Sequence, residues 1–145
     1  MRGQIYNLEA TELFTVYEFV SEGPKGHIAK LVKYTKMGVG DMYNLGFGDK
    51  IGDTKDFDDT VVSDNKDSEV ILVTVASTIY TFTTAYPKSL VVAAGSTPSR
   101  TRLYRMGISN YLDEIEKDFF VFGLLGGQWV KFEKNQNYAA FFNQT

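Results

Sequence analysis

An apolar segment of seventeen residues, from Val70 to Tyr86, most constrains how this chain can fold. Its apolar residues recur at three- and four-residue steps, the spacing of one helix face: Leu72, Val75, Ala76, Ile79, Phe82 and Tyr86. Valine, isoleucine and threonine favour strands, but the segment is longer than a usual strand. Asp64 to Asp67 offer capping side chains before it, and Pro87 ends it. We therefore predict a helix here.

Shorter segments on both sides of this helix have the composition of strands. Before it, residues 13–20 and 28–34 predict a hairpin around the turn Ser21–Gly26, and residues 42–47 predict a third strand. After it, residues 90–94 predict a buried strand, and residues 119–125 and 128–132 predict a second hairpin around Gly126-Gly127. Residues 60–63 suggest a short strand, and the tail 137–142 suggests a short helix or an edge strand.

A second helix is predicted from the capping hydroxyl of Thr97 and from Pro98 at the first helical position. It runs to about Glu116, and five residues form its buried face: Leu103, Gly107, Tyr111, Leu112 and Ile115. The predicted order is β-β-β-α-β-α-β-β. We expect a single α+β domain over residues 1–145, with one twisted, mostly antiparallel sheet packed against two helices.

One face of the third predicted strand is nearly bare. Asn44, Gly46 and Gly48 share this face, whereas Tyr43, Leu45 and Phe47 share the other. Glycine inside a strand allows a ligand or another part of the backbone to approach closely.

Composition excludes several kinds of chemistry. The 145 residues include no cysteine and one histidine, which excludes thiol nucleophiles, disulfides and the commonest metal sites. We expect no metal and no cofactor. No segment approaches the roughly 20 apolar residues of a membrane span, and residues 1–10 lack the apolar run of a signal peptide. A cytoplasmic protein without membrane contact is therefore expected.

The segment from Gly95 to Arg105 is the strongest candidate site. Lys88 to Met106 contains four basic residues and no acidic one, although a helix start favours negative charge. An anion at the helix start resolves this conflict. We predict phosphate binding by six residues: Ser96, Thr97, Ser99, Arg100, Arg102 and Arg105. Tyr104, Arg100 and Arg102 are the catalytic candidates, with Tyr104 stacking on a base or transferring a proton. RNA, single-stranded DNA or a nucleotide is the expected partner.

Two other interpretations stay open. Asp49 to Glu69 contains eight acidic and three basic residues, so this acidic loop can pair with the arginines or engage a basic partner. The net charge of −3 also gives no general attraction to nucleic acid. The alternative function is therefore a non-enzymatic protein-interaction module that uses the acidic loop, Trp129 or the run Phe119 to Phe122.

Isolated basic residues have simpler explanations. His27 follows a turn and is expected to be an ordinary surface residue. Four lysines are expected to be solvated charges on an edge strand: Lys25, Lys30, Lys33 and Lys36.

The motifs Ser21–Gly26, Tyr43–Asp49 and Gly95–Ile108 together resemble a bacterial family of single-domain proteins of similar length, domain of unknown function 6934. The resemblance spans nearly the whole chain. It implies a bacterial, intracellular protein and brings no catalytic residues with it. It also suggests a component of a toxin–antitoxin or defence pair, for which metal-independent ribonuclease activity is the matching enzymatic hypothesis. Whether the chain is an enzyme stays open.

Overall fold

The computed structural model describes residues 5–38, 40–58, 65–94, 97–134, 136, 138 and 141–144, and these form an α+β fold. Three helices pack against one sheet: α1 (Ser68–Ala85), α2 (Pro98–Asn110) and the short α3 (Leu112–Ile115). The strands are β1 (Glu9–Thr11), β2 (Val16–Gly23), β3 (Gly26–Lys36), β4 (Met42–Lys50), β5 (Phe57–Asp58), β6 (Leu90–Ala93), β7 (Phe120–Leu125), β8 (Gln128–Lys131) and β9 (Phe141–Gln144). A 3₁₀ turn, Glu12–Phe14, separates β1 from β2.

The predicted fold class is confirmed, and the strand order explains how the helices are placed. The strands lie in the order β1-β2-β3-β4-β6-β9-β7-β8, and β5 pairs with the end of β4. Among the described strands only β4 and β6 pair in parallel, and parallel neighbours need a long crossover connection, which here contains α1. The tail does form a strand, but β9 lies between β6 and β7 and is not an edge.

Helix α1 covers one face of the sheet, which we call the helix face. The ring of Tyr34 on β3 stacks on Phe82 with 4.1 Å between centroids, and its hydroxyl lies 2.7 Å from that of Thr78. By length and composition alone α1, with a mean hydropathy of 1.2, is apolar enough to span a membrane. Of this segment 33% is buried inside the fold, and its buried residues are Leu72, Val73, Thr74, Val75, Thr78, Phe82 and Thr83.

The second predicted helix is shorter than expected. Its most buried side chains are not the predicted ones, although they lie on the same side of the helix as predicted Gly107, which approaches Leu72 of α1. It ends at Asn110, and α3 follows after a break at Tyr111. Leu112 is buried as predicted, whereas the buried residues of α2 are Arg100 and Tyr104. Polar Arg100 lies inside because its guanidinium packs on the ring of Phe47 on β4, so hydrophobic spacing did not identify this residue.

The interpretation of the lysines as edge-strand charges is wrong for β3. This strand lies between β2 and β4, and Lys30 is only 4% exposed. His27 is a surface residue, as expected, with its ring 3.7 Å from the Glu22 carboxylate.

The sheet face opposite the helices, which we call the far face, is covered at β4 by the chain around β5. A Cβ atom on Gly46 would lie 2.6 Å from Cζ of Phe57, and one on Gly48 would lie 2.3 Å from the backbone oxygen of Asp58. The predicted close approach to this bare face is confirmed, and its cause is the chain itself. Residues 60–63, suggested as a strand, lie outside the described residues.

Gly48→Ala is expected to destabilise the fold by about 1–3 kcal/mol, because backbone atoms of Asp58 must move to admit the methyl group. Gly46→Ala should cost less, since Cζ is the far end of the Phe57 side chain, which can shift without moving the backbone. Urea unfolding of both variants measures the difference. Equal stability of Gly48→Ala and the wild-type protein would contradict this packing.

An ion-pair cluster lies on the far face beside β1. The Glu18 carboxylate is 2.5 Å from Nζ of Lys50 and 3.4 Å from Nζ of Lys55. The hydrogen bond to Lys50 lowers the pKa of Glu18, against a smaller opposing effect of burial.

This lowered pKa predicts acid sensitivity. Because the folded protein holds Glu18 ionised below its usual pKa of about 4.3, the pair stabilises the fold above that pH and is lost as Glu18 takes up a proton. Glu18→Gln should therefore flatten the fall in unfolding free energy on the acid side, measured by urea unfolding at successive pH values. Exposed Glu116→Gln serves as the control, and an unchanged slope in Glu18→Gln would refute the assignment.

Candidate functional site

Both long helices begin at the same end of the sheet. Strands β2, β4 and β6 run in the same direction, so their carboxyl ends meet there. Helix α2 starts shortly after β6, and the chain entering α1 docks on the end of the β2–β3 hairpin. Helix starts carry unpaired N–H groups and a partial positive charge, so this end of the sheet favours negatively charged groups.

Asn65 fixes the chain before α1 onto the hairpin. Its side-chain amide donates to the carbonyl oxygen of Gly26 at 2.9 Å and to the hydroxyl of Ser21 at 3.1 Å. Its side-chain oxygen accepts from the backbone N–H of Lys25 at 2.7 Å. A Cβ atom on Gly23 would lie 1.9 Å from the backbone oxygen of Asn65, so this contact requires glycine.

Asp67, the residue before α1, is buried among hydroxyl groups. Its Oδ2 accepts hydrogen bonds from Ser21 at 2.5 Å and Tyr6 at 2.6 Å. The carboxylate therefore makes no side-chain cap to the helix, although a cap was predicted from this stretch. Within the described residues, its buried Oδ1 has no hydrogen-bond partner.

Tyr6 links the N-terminal segment to this carboxylate. The Tyr6 hydroxyl accepts a hydrogen bond from the backbone N–H of Glu22 at 3.0 Å. The backbone N–H of Tyr6 donates to Oγ1 of Thr74 at 2.9 Å. Burial, followed by the hydrogen bond to Asp67, raises the pKa of Tyr6, so the hydroxyl stays protonated and donating at neutral pH.

Tyr6→Phe should destabilise the fold by about 2 kcal/mol, because a buried carboxylate loses a donor. Chemical denaturation measures the loss. Tyr43→Phe is the matched control, since within the described part of the chain the Tyr43 hydroxyl has no hydrogen bond. This variant should lose less unfolding free energy than Tyr6→Phe. Equal losses in the two variants would contradict the role given to the Tyr6 hydroxyl.

Buried polar groups continue along the helix face of the sheet. Lys30 lies directly opposite Asp49 across β3 and β4, and the two side chains form an ion pair. Ser21 lies diagonal to Lys30 across β2 and β3. Ser21, Lys30, Asp49 and Asp67 thus form a polar band at the carboxyl end of the sheet.

Arg100 and Tyr104 lie next to this band. The Arg100 guanidinium sits 4.3 Å from the ring centroid of Phe47, and the Tyr104 ring packs edge-on against the same ring at 5.7 Å. Phe47 is two residues before Asp49 on the same face of β4. Arg100 is 8% and Tyr104 6% exposed, so the structure uses both side chains in packing.

The remaining residues of the predicted phosphate site lie nearer solvent. The Thr97 hydroxyl caps α2 by accepting from the N–H of Arg100 at 3.2 Å. Ser99 and Arg102 are exposed, and Nη1 of Arg105 lies 3.5 Å from the carbonyl oxygen of Gln136. Ser96 falls outside the described residues. Arg100 is therefore buried, whereas Ser99 and Arg102 lie on the exposed side of α2.

Sequence reasoning missed Tyr6, Ser21, Lys30 and Asp67 as members of one cluster. Their contacts join residues far apart in the chain: Ser21 and Asp67 are 46 positions apart, and Tyr6 and Asp67 are 61 positions apart. The one available signal was the turn motif Ser21–Gly26, whose glycines and serine dock Asn65.

Comparison with known proteins identifies a family without an assigned function. No curated protein and no solved structure matches the chain. A model described as "Family of unknown function (DUF6934)" matches residues 2–145, nearly the whole chain. The chain therefore belongs to the DUF6934 family, as the resemblance of its motifs predicted.

Proposed function

We propose that this protein binds phosphate groups of RNA, single-stranded DNA or a nucleotide at the exposed side of α2. The observation that carries the proposal is the charge of this helix. Its thirteen residues contain three arginines and no acidic residue, and it begins at the carboxyl end of the sheet. Ser99 and Arg102 are exposed in its first two turns.

The proposal gives the arginines different tasks. Arg102 contacts phosphate, and Ser99 donates a hydrogen bond to it. Buried Arg100 holds the helix start against Phe47 and adds positive potential to the surface. Arg105, half-buried near Gln136, extends the basic surface by one turn.

Fluorescence anisotropy of a short labelled single-stranded RNA at two salt concentrations tests this proposal. We expect Arg102→Ala combined with Arg105→Ala to weaken binding about tenfold and to reduce the slope of log affinity against log salt by about 1.4. Arg100 is left intact because its removal would disturb the packing on Phe47.

Lys117→Ala combined with Lys131→Ala is the matched control, since it removes two exposed positive charges that do not belong to α2. This control should bind like the wild-type protein. No binding by the folded wild-type protein at low salt, or equal weakening in both double variants, would overturn the proposal.

The finer parts of the proposal depend on this binding. We place the protein in the cytoplasm, as a component of a toxin–antitoxin or defence pair with metal-independent ribonuclease-type activity. Positioning of phosphate and stabilisation of its charge are what such cleavage needs first. Incubation of the labelled RNA with the protein in the presence of a chelator tests for cleavage products.

A second candidate function is protein interaction, which the β7–β8 hairpin favours. Phe120 is 67% and Trp129 43% exposed, and by register both side chains lie on the far face. Phenylalanine and tryptophan are enriched in protein interfaces, and tryptophan is also enriched at binding hot spots. The buried ring of Phe119, by contrast, contacts Tyr80 at 4.9 Å between centroids and belongs to the core.

A further inference from the structure

A pocket of about 570 Å³ opens beside the outer edge of β2, away from α2. Residues 5–7 form one side of it, and β2 residues including Val20 and Glu22 form the other. Ala29 of β3 and Lys50 of β4 also line it. Its volume is in the range of small-molecule sites.

The pocket exists because β1 covers only part of β2. Strand β1 pairs with residues 16–18, and the preceding chain leaves the sheet so that Tyr6 can reach Thr74 on α1. The edge of β2 is covered again at Glu22, whose N–H donates to the Tyr6 hydroxyl. The gap from Glu18 to Glu22 spans about 13 Å.

This gap offers backbone groups but is too short for an added strand. In an antiparallel ladder, residues two apart direct their N–H and C=O groups to the same side. The N–H of Glu22 points to Tyr6 across the gap, so the backbone groups of Val20 face the gap as well. The gap thus exposes the N–H and C=O groups of one residue, Val20, between two covered positions. This arrangement suits a small molecule better than a peptide strand.

The charged side chains that line the pocket indicate which class of ligand it can bind. The lining includes three carboxylates, from Glu9, Glu18 and Glu22, and two ammonium groups, from Lys30 and Lys50. Lys30 is paired with Asp49, outside the lining, and Lys50 is paired with Glu18, which Lys55 also approaches at 3.4 Å. The lining therefore carries one more carboxylate than ammonium groups. At the two ends of the gap, Glu9 interacts electrostatically with Lys50, and the Glu22 carboxylate lies 3.7 Å from the ring of exposed His27.

We infer that this pocket binds a small aliphatic polyamine, with ammonium groups near Glu9 and Glu22 and an N–H donated to the carbonyl oxygen of Val20. Ile5 and Val20, which are 48% and 44% exposed, contribute apolar surface for the methylene chain. The site shares no residue with α2 and does not rest on the proposed phosphate site.

Calorimetric titration of the full chain with spermidine tests this inference. Glu9→Gln combined with Glu22→Gln should weaken spermidine binding at least about tenfold. Both side chains are exposed, and the hydrogen bond of Glu22 to Tyr6 uses its backbone, so the variant keeps the contacts that hold the segment. In amide NMR spectra, spermidine should shift Asn7, Val20 and Ala29.

Asp113→Asn combined with Glu116→Gln is the matched control, because it removes two exposed carboxylates at α3. It should bind spermidine like the wild-type protein. No spermidine binding by the folded wild-type protein, equal weakening in both double variants, or amide shifts confined to residues outside the pocket would each overturn the assignment.

Discussion

The parallel pairing of β4 with β6 determines where the two long helices begin. Parallel neighbours must be joined by a crossover, and α1 supplies it across the helix face. This connection brings the start of α1 to the carboxyl end of the sheet, where β6 delivers the start of α2. Two helix starts, with their unpaired N–H groups, thus lie at one end of the molecule.

The polar band follows from that placement, because side chains at this end are buried beneath the chain entering α1. Burial of polar groups is costly unless they find partners. Asn65 uses both its amide and its oxygen, Lys30 pairs with Asp49, and Tyr6 and Ser21 share Asp67. Asp67 serves these two hydroxyls at the expense of capping α1.

Local patterns were sufficient to predict most elements of the fold. The three- and four-residue spacing of Val70 to Tyr86 identified α1, and Thr97 with Pro98 marked the start of α2. Gly126 and Gly127 have positive φ values of 58° and 78°, as a tight hairpin requires. Each of these signals lies within a few residues of what it predicts.

Pairing between distant segments was not predictable from the same patterns. The position of β9 between β6 and β7 depends on which of several distant segments pairs with the edge of β6. The strand β1 has only three residues, too few to show an alternation of apolar and polar side chains. Arg100 was grouped with Arg102 because charge alone was visible. The ring of Phe47, far away in sequence, turns Arg100 inward and leaves Arg102 on the surface.

An amide NMR titration of the uniformly labelled protein with short single-stranded RNA tests the central claim that the start of α2 is the functional surface. The account predicts chemical-shift changes concentrated on Ser99, Arg102 and Arg105, with smaller changes at Thr97. Changes centred on Phe120 and Trp129 of the β7–β8 hairpin, or none at low salt, would contradict it.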